Sequence, residues 1–460
     1  MMYDVKGKRV LVVGMVRSGI ALARLLNSQG AAITLSDLKS KESLSGLSEL
    51  EAELGSSAAW SLSSEPDSLL PNIDLAIISP GVPIQSSWIE KAKARGIPVI
   101  GELEYGASIA SQLSGGITAV TGTNGKTTTT TLIGEMLKGA GRVAHVVGNI
   151  GDPVSGASLI AKRGDSFVIE VSSFQMESAP TFRPNIGALL NITPDHLNRH
   201  GDMATYIGLK KHMFANQTAS DTSIVNADDI LTNTLLDDLP MRKLKFSRKT
   251  EPAQGAFLRG GEVILRADSA EKTLCRADEI RIPGAHNLEN AMAAICAASA
   301  QGVPPPVIRH TLRTFAGVEH RIETIRTLEG VTYINDSKGT NVDSTIKAVE
   351  AMTKPTVIIL GGYDKHVSFD ELSDVMVKLT NIKSAVLIGD VAAQIRASLE
   401  KSGFTEIHDA GYDFEKAIAV CRGIARDGWN VLLSPACASF DMFKDYEHRG
   451  HEFKRIVAAL

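Results

Sequence analysis

At 460 residues the chain is long enough for roughly three domains of ordinary size, each with its own core. A formal net charge of -4 with 22% charged residues argues against a nucleic-acid binder, whose phosphate contacts need a basic surface. The four cysteines, Cys275, Cys296, Cys421 and Cys437, contain no C-x-x-C pair, no signal peptide fits before a strand expected at Arg9, and no apolar run approaches the roughly 20 residues that span a bilayer. The expectation is a cytoplasmic enzyme without disulfides, zinc site or membrane insertion.

Short apolar strands alternate with helix-length segments almost throughout, the pattern of parallel sheets with helical crossovers, so the expected fold class is α/β. The first unit opens with the strand Arg9-Val10-Leu11-Val12-Val13, turns at Gly14-Met15-Val16-Arg17-Ser18-Gly19 and continues as an Ala/Leu-rich helix over 20–28. A strand over 32–35, Asp37, and the strand Leu75-Ala76-Ile77-Ile78 before Ser79-Pro80-Gly81 complete a Rossmann-like pattern. Val16 stands where a dinucleotide fingerprint has its middle glycine, and a Cβ there hinders the approach of a pyrophosphate. The unit therefore reads as a site for some nucleotide diphosphate other than NAD.

A second unit starts near Leu113. The run Ile117-Thr118-Ala119-Val120 leads into Thr121-Gly122-Thr123-Asn124-Gly125-Lys126-Thr127-Thr128 and then a helix-like segment over 128–138. Strand, small-residue loop, Lys-Thr and helix in that order make a phosphate-binding loop: backbone N–H groups and the helix N-terminus face phosphate oxygens, Lys126 neutralises charge and Thr127 offers a hydroxyl to Mg²⁺. The general loop pattern has a glycine where this chain has Val120. Strands follow at Ser166-Phe167-Val168-Ile169-Glu170 and over 186–190, then an Ala-rich helix over 287–300. A third unit from about Val318 alternates again, with strands over 331–334, 357–360 before Gly361-Gly362, 385–388 and 431–433, and a helix around 342–352.

Glu170 ends an apolar strand at the edge where ligands of open parallel sheets gather, which favours a Mg²⁺ ligand over a helix-capping acid. Asn191-Ile192-Thr193-Pro194-Asp195-His196 repeats the arrangement after the next strand, and His196 there is either a structural or a functional histidine. If residues 203–217 are helical, Met203, Tyr206, Ile207, Met213 and Phe214 share one apolar face with Lys210 near its centre and Lys211 at its edge. A lysine so placed snorkels outward, pairs with an acid, or is not a cation; from chemistry alone snorkelling carries the most weight.

Gly122-Thr-Asn-Gly-Lys-Thr, Glu170-Val-Ser-Ser-Phe-Gln, Thr193-Pro-Asp-His196, His286-Asn287-x-x-Asn290, Glu319-His320-Arg321, Asn335-Asp336-Ser337-Lys338-Gly339-Thr340-Asn341 and Ser434-Pro-Ala-Cys-Ala-Ser-Phe-Asp441 together resemble the Mur ligase family across nearly the whole chain. Within it, the Ser434 to Asp441 run and the Asn335 to Lys338 segment look like the member that adds D-glutamate, and the Asp-Asn-Pro-Arg signature of the diamino-acid-adding member is absent. The resemblance implies three domains: a Rossmann-like UDP-sugar domain over 1–106, a central P-loop ATPase domain over 107–317, and a Rossmann-like amino-acid-binding domain over 318–460. It implies ATP on Gly122, Thr123, Asn124, Gly125, Lys126, Thr127 and Thr128, with Asn287, Asn290, Arg321 and Asp336 around the nucleoside. Two Mg²⁺ sites follow, one on Thr127 and Glu170, the other on His196 and on Lys210 carbamylated by CO₂. The UDP-sugar falls to Arg17, Ser18, Asp37, Ser79, Gly81 and Asn149; D-glutamate falls to Lys338, Thr340, Lys365, Ser439, Phe440 and Tyr446. Lys126, Glu170, His196 and Lys210 become the catalytic set.

The implied activity is the ATP-driven joining of D-glutamate to UDP-N-acetylmuramoyl-L-alanine in peptidoglycan precursor synthesis, by a monomer, through an acyl phosphate and a tetrahedral intermediate. Two departures stand out: Tyr363 where some relatives carry an acid, and Arg17 at a place often apolar. Another Mur-type or a folylpolyglutamate-type amide ligase is the alternative; the stretch before residue 105 argues against the latter. An NAD-dependent oxidoreductase leaves the phosphate loop unexplained, and a nucleotide-sensing binding protein would release no phosphate.

Overall fold

The computed structural model describes residues 3–44, 46–267, 270–364 and 367–460. The chain forms two compact units, Met1–Ile280 with Glu289–Thr314, and Arg281–Leu288 with Phe315–Leu460.

The first unit holds two sheets. One is five-stranded and all parallel, in the order Ala58–Leu62, Ala32–Asp37, Arg9–Val13, Leu75–Ile78, Val99–Gly101. Leu22, Leu25 and Leu26 of the helix Arg17–Ser28 cover one face, and Trp88 and Ile89 of Ser87–Ala94 cover the other. The helix begins at Arg17, three residues before the expected start, because Val16 is already the extended residue that caps it. A Cβ on Gly19 would stand 2.1 Å from Gly14 O, so glycine is what lets this turn close. The strand order reverses beside Arg9–Val13, which opens a crevice at the carboxyl ends of the strands.

The other sheet has nine strands, in the order Ala270–Arg276, Glu262–Ala267, Gly255–Arg259, Arg242–Ser247, Thr222–Asn226, Ile186–Leu189, Gly116–Thr121, Ser166–Glu170, Ala144–Gly148. Its parallel part carries the helix Lys126–Gly139 directly after the strand Gly116–Thr121. Gly255–Arg259, Glu262–Ala267 and Ala270–Arg276 extend it as an antiparallel meander turning at Gly260-Gly261, an element the sequence reading passed over. The helix Met203–His212 stops short of the expected residue 217, with Met213 and Phe214 fully buried in the turn that follows.

The second unit has one six-stranded sheet, ordered Glu323–Leu328, Val331–Asn335, Asn430–Leu433, Thr356–Gly361, Ile382–Ile388, Ile407–Gly411, parallel except for the first pair. Buried Ile, Leu and Val pack both its faces. The fold is thus α/β with three domains, each built on its own sheet. The four cysteines are free and buried.

Candidate active site

The phosphate loop sits between the strand Gly116–Thr121 and the helix Lys126–Gly139, whose N-terminus brings partial positive charge to the loop. Gly125 precedes that helix at φ +84°, and a Cβ there would lie 2.1 Å from Asn290 Oδ1, so the buried Asn290 fixes the loop from outside. Asn124 N donates to Asn191 Oδ1 at 2.8 Å, and Asn191 Nδ2 donates back to Asn124 O at 3.0 Å. Thr123 Oγ1 lies 3.0 Å from both Thr193 O and the Tyr206 hydroxyl. Lys126 Nζ folds along the loop to Gly122 O at 2.9 Å and Thr123 O at 2.6 Å, while Thr127 and Thr128 are buried in the first helical turn.

Glu170 ends its strand in register with Val120, beside the loop. Its Oε1 accepts from Asn149 Nδ2 at 2.8 Å, whereas Oε2 is buried with no hydrogen-bond partner. A bare buried carboxylate oxygen is costly by itself and is the valence that a hard cation fills. Lys210 is also buried, at 2% exposure, with Nζ donating to Gly122 O at 2.8 Å and lying 4.5 Å over the Tyr206 ring. Burial holds its ammonium well below the usual lysine range, Lys126 adds repulsion, and Asp195 opposes both. Snorkelling is therefore corrected: the side chain turns inward to the phosphate loop. Lys211 behaves as its position on the stripe's edge implies, pairing with Asp238 at 2.9 Å at the surface.

His196 adopts φ +55°, a left-handed conformation costing about 1–3 kcal/mol for a non-glycine residue, and its ring packs 4.7 Å from that of Phe174. Lys126, Asn149, Ser173, His196 and Lys210 all line one cavity of about 80 Å³. The bare Oε2 of Glu170 is an oxygen donor of the kind a hard cation such as Mg²⁺ takes, while His196 lines the 80 Å³ cavity and Thr127 and Glu170 do not.

The crevice of the five-stranded sheet is a separate cavity of about 490 Å³ lined by Arg17, Ser18, Asp37, Ser79 and Gly81. Asp37 accepts from Met15 N at 2.7 Å and Lys39 N at 2.9 Å, and Ser79 Oγ donates to Gly14 O at 2.7 Å. Asn149 is not among them; it stands with Glu170. Arg17 donates to Gly151 O at 2.5 Å.

In the second unit, Asp336 is fully buried: Ser434 Oγ donates to it at 2.7 Å, Ile322 N at 3.2 Å, and Arg321 Nη1 stands 3.7 Å away. Burial raises its carboxyl to about 6, against the pull of Arg321. It is enclosed beside Arg321. Asn287 Nδ2 donates to Pro283 O at 2.6 Å. Lys338 Nζ lies 5.2 Å over the Tyr446 ring, Thr340 N donates to Lys338 O, Ser439 is buried and Phe440 is 66% exposed, edge-on to Tyr363. Lys365 lies outside the described residues. Glu319, His320 and His451 come close enough to share an ion, but Lys454 Nζ already sits 2.7 Å from Glu319 and Asn335 Nδ2 lies 2.9 Å from His320 Nδ1, which makes them an ion-pair network.

Residues 8–101 match the Mur ligase MurD-like, N-terminal domain, residues 120–298 the Mur ligase middle domain, and residues 320–437 the Mur ligase, glutamate ligase domain. A UDP-N-acetylmuramoylalanine--D-glutamate ligase of Pelotomaculum thermopropionicum is 44% identical over 460 residues, covering 100% of this chain and 99% of the relative. One of Clostridioides difficile is 42% identical over 457 residues, 99% of this chain and 100% of that one. The chain belongs to the Mur ligase family. Among solved structures, a UDP-N-acetylmuramate-alanine ligase MurC from Thermotoga maritima shares the fold with a TM-score of 0.61 at 20% identity, covering 98% of this chain and 100% of that one. A MurF ligase from the same organism in complex with ADP gives 0.59 at 15% identity, covering 99% of this chain and 96% of that one. As a Mur ligase the chain is an ATP-dependent enzyme that forms an amide bond.

The sequence of this Mur ligase did not reveal Arg449. It is fully buried, and its guanidinium donates to Ser337 Oγ and O at 3.0 and 2.9 Å, to Cys437 O at 3.1 Å and to Ala438 O at 3.3 Å. It ties the Lys338 loop to the Ser439 loop from behind. An arginine three residues after Tyr446 in an exposed-looking Glu/His/Arg run gives no sign of this. Tyr206 and Asn191, which brace the phosphate loop, were likewise visible only as an apolar-face residue and a strand-end polar residue.

Proposed function

We propose that this Mur ligase joins D-glutamate to UDP-N-acetylmuramoyl-L-alanine at the expense of ATP, giving ADP, phosphate and the UDP-sugar dipeptide for peptidoglycan. The observation that carries the reading is the cavity where Lys126, His196 and Lys210 meet beside the bare Oε2 of Glu170, a concentration of charge suited to a transferring phosphoryl group. The substrate carboxylate attacks the γ-phosphate with Lys126 compensating the charge that spreads over it. The amine of D-glutamate then attacks the acyl phosphate, and phosphate leaves from a tetrahedral intermediate. Thr127 and Glu170 would hold one Mg²⁺, and His196 with a carbamylated Lys210 the second. Bound there, the metals supply Lewis-acid stabilisation of phosphate oxygens. Burial disfavours the Lys210 ammonium, the uncharged amine is the form that reacts with CO₂, and a carbamate would replace a poor ligand by a hard oxygen.

The 490 Å³ crevice suits the UDP-sugar, with the Arg17 guanidinium near its diphosphate and Asn149 toward the reacting end. Domain limits of 1–106, 107–317 and 318–460 accord with the three sheets. The reading includes a cytoplasmic monomer. Phosphate release with ATP, Mg²⁺ and UDP-N-acetylmuramoyl-L-alanine, measured across a panel of amino acids, tests the reading. D-glutamate should be preferred; equal turnover with L-glutamate, or preference for a diamino acid, overturns it.

A further inference from the structure

Ser173 opens the short helix Ser173–Met176 just beyond Glu170, and its Oγ lies 2.9 Å from Nε2 of His200. On the far side of the ring, Nδ1 stands 3.3 Å from Glu177 Oε1. The His200 and Glu177 side chains are 1% and 4% exposed. A carboxylate only accepts, so the neutral ring keeps its proton on Nδ1, Nε2 is the acceptor, and the serine hydroxyl donates to it. The Ser173 proton is thereby committed, which leaves lone pairs for whatever enters the small cavity that Ser173 shares with Lys126, His196 and Lys210. No step of the reaction described above uses this serine, histidine and glutamate.

Resting on the amide-ligase reading, we propose that Ser173 and His200 are the proton exit for the attacking amine, with Glu177 as the positioning residue behind the ring. The amine's lone pair forms the C–N bond and leaves a cationic nitrogen. One N–H proton passes to Ser173 Oγ as the hydroxyl proton passes to His200 Nε2. The intermediate then collapses, the C–O bond electrons depart with phosphate, and the imidazolium returns its proton to that phosphate. Phe174 and Tyr206 pack around the ring.

The test compares two nucleophiles in the presence of ATP, Mg²⁺ and UDP-N-acetylmuramoyl-L-alanine. Hydroxylamine traps an acyl phosphate as a hydroxamate, and its adduct sheds a proton unaided. His200→Gln keeps both hydrogen bonds but cannot take a proton; it should slow D-glutamate ligation by about 10²-fold or more and leave hydroxamate formation within about twofold. Ser173→Ala should do the same, and Ser173→Thr should restore the rate. Equal losses with both nucleophiles indicate a merely structural role and overturn the proposal, as does an undiminished rate with D-glutamate. A wild-type enzyme that forms no hydroxamate overturns the ligase reading itself, which is a different result.

Discussion

The phosphate-loop cavity and the amino-acid edge solve the problem of holding a charged ligand in opposite ways. In the first, the charged groups are themselves buried and incompletely matched: Glu170 Oε2 has no partner, and Lys210 has a carbonyl oxygen and a ring where a cation would want a carboxylate. In the second, Lys338 and Phe440, proposed to meet D-glutamate, stand on loops, and the buried charge is Arg449 behind them, well supplied with acceptors. The difference teaches where stability and activity part company. A group that waits for its ligand should be removable with little loss of fold, whereas a group that holds loops in place should take fold and function with it.

The largest effect falls on the waiting groups. Lys126→Ala should lower ATP-dependent turnover by roughly 10³-fold or more while the thermal midpoint holds, because what is lost is compensation of charge on the transferring group. Titration calorimetry with the UDP-sugar should give an affinity within about twofold of wild type, since non-uniform binding alone is removed and the 490 Å³ crevice belongs to a different sheet. A large loss of UDP-sugar affinity would break the comparison. Lys210→Ala should cost about 10²-fold, and short carboxylic acids should restore part of it by supplying the hard oxygen that the carbamate would provide. Lys211→Ala, which removes only a surface pair with Asp238, should stay near wild type. Absence of both acid rescue and a ¹³C carbamate signal would return Lys210 to a structural role.

Which of these features the sequence disclosed follows from how local they are. The phosphate loop is legible because strand, glycine, lysine and helix lie within a dozen consecutive residues, and the helical period put Lys210 on the buried face and Lys211 at its edge. The period could not say whether the Lys210 amine escapes to water; that depends on Gly122 and Tyr206, and Gly122 lies 88 positions away. Asn191 on the loop and Arg449 on Ser337 are contacts over 67 and 112 positions, fixed by strand order and not by any nearby pattern. Asp336 was recognisable as part of a motif, but its complete enclosure is a property of the packed sheet. The antiparallel meander at the sheet's edge left a weak trace because its strands, Gly255–Arg259, Glu262–Ala267 and Ala270–Arg276, show no regular polar-apolar alternation.

Arg449→Lys sharpens the other side of the comparison. A lysine keeps the charge but cannot serve Ser337, Cys437 and Ala438 at once, since the planar fork is lost. The second unit should lose about 2–4 kcal/mol in denaturant unfolding, with a raised KM for D-glutamate and a nearly normal KM for ATP. Unchanged stability would mean that water can replace the guanidinium, and the loops would then owe their order to something else.

The smallest effect on turnover is expected at Asp336, which is enclosed beside Arg321, yet it has the clearest signature in pH. Its carboxyl is raised to about 6 by burial. A pKa raised on folding means the native state favours the protonated form, so the associated stability is fully present below the unfolded value, near 3.9, and is lost as pH rises through about 6. A displacement of this size corresponds to about 3 kcal/mol between those limits. Asp336→Asn is permanently neutral and keeps an oxygen for Ile322 N, so unfolding of the second unit followed from pH 4 to 7 should show a shallower decline than wild type, while turnover at neutral pH falls only several-fold through the loosened Arg321. If wild type and variant decline in parallel, the enclosed carboxylate is compensated at neutral pH by Arg321 and Ser434 more fully than its burial implies, and the contrast with the incompletely matched charges of the first unit would sharpen.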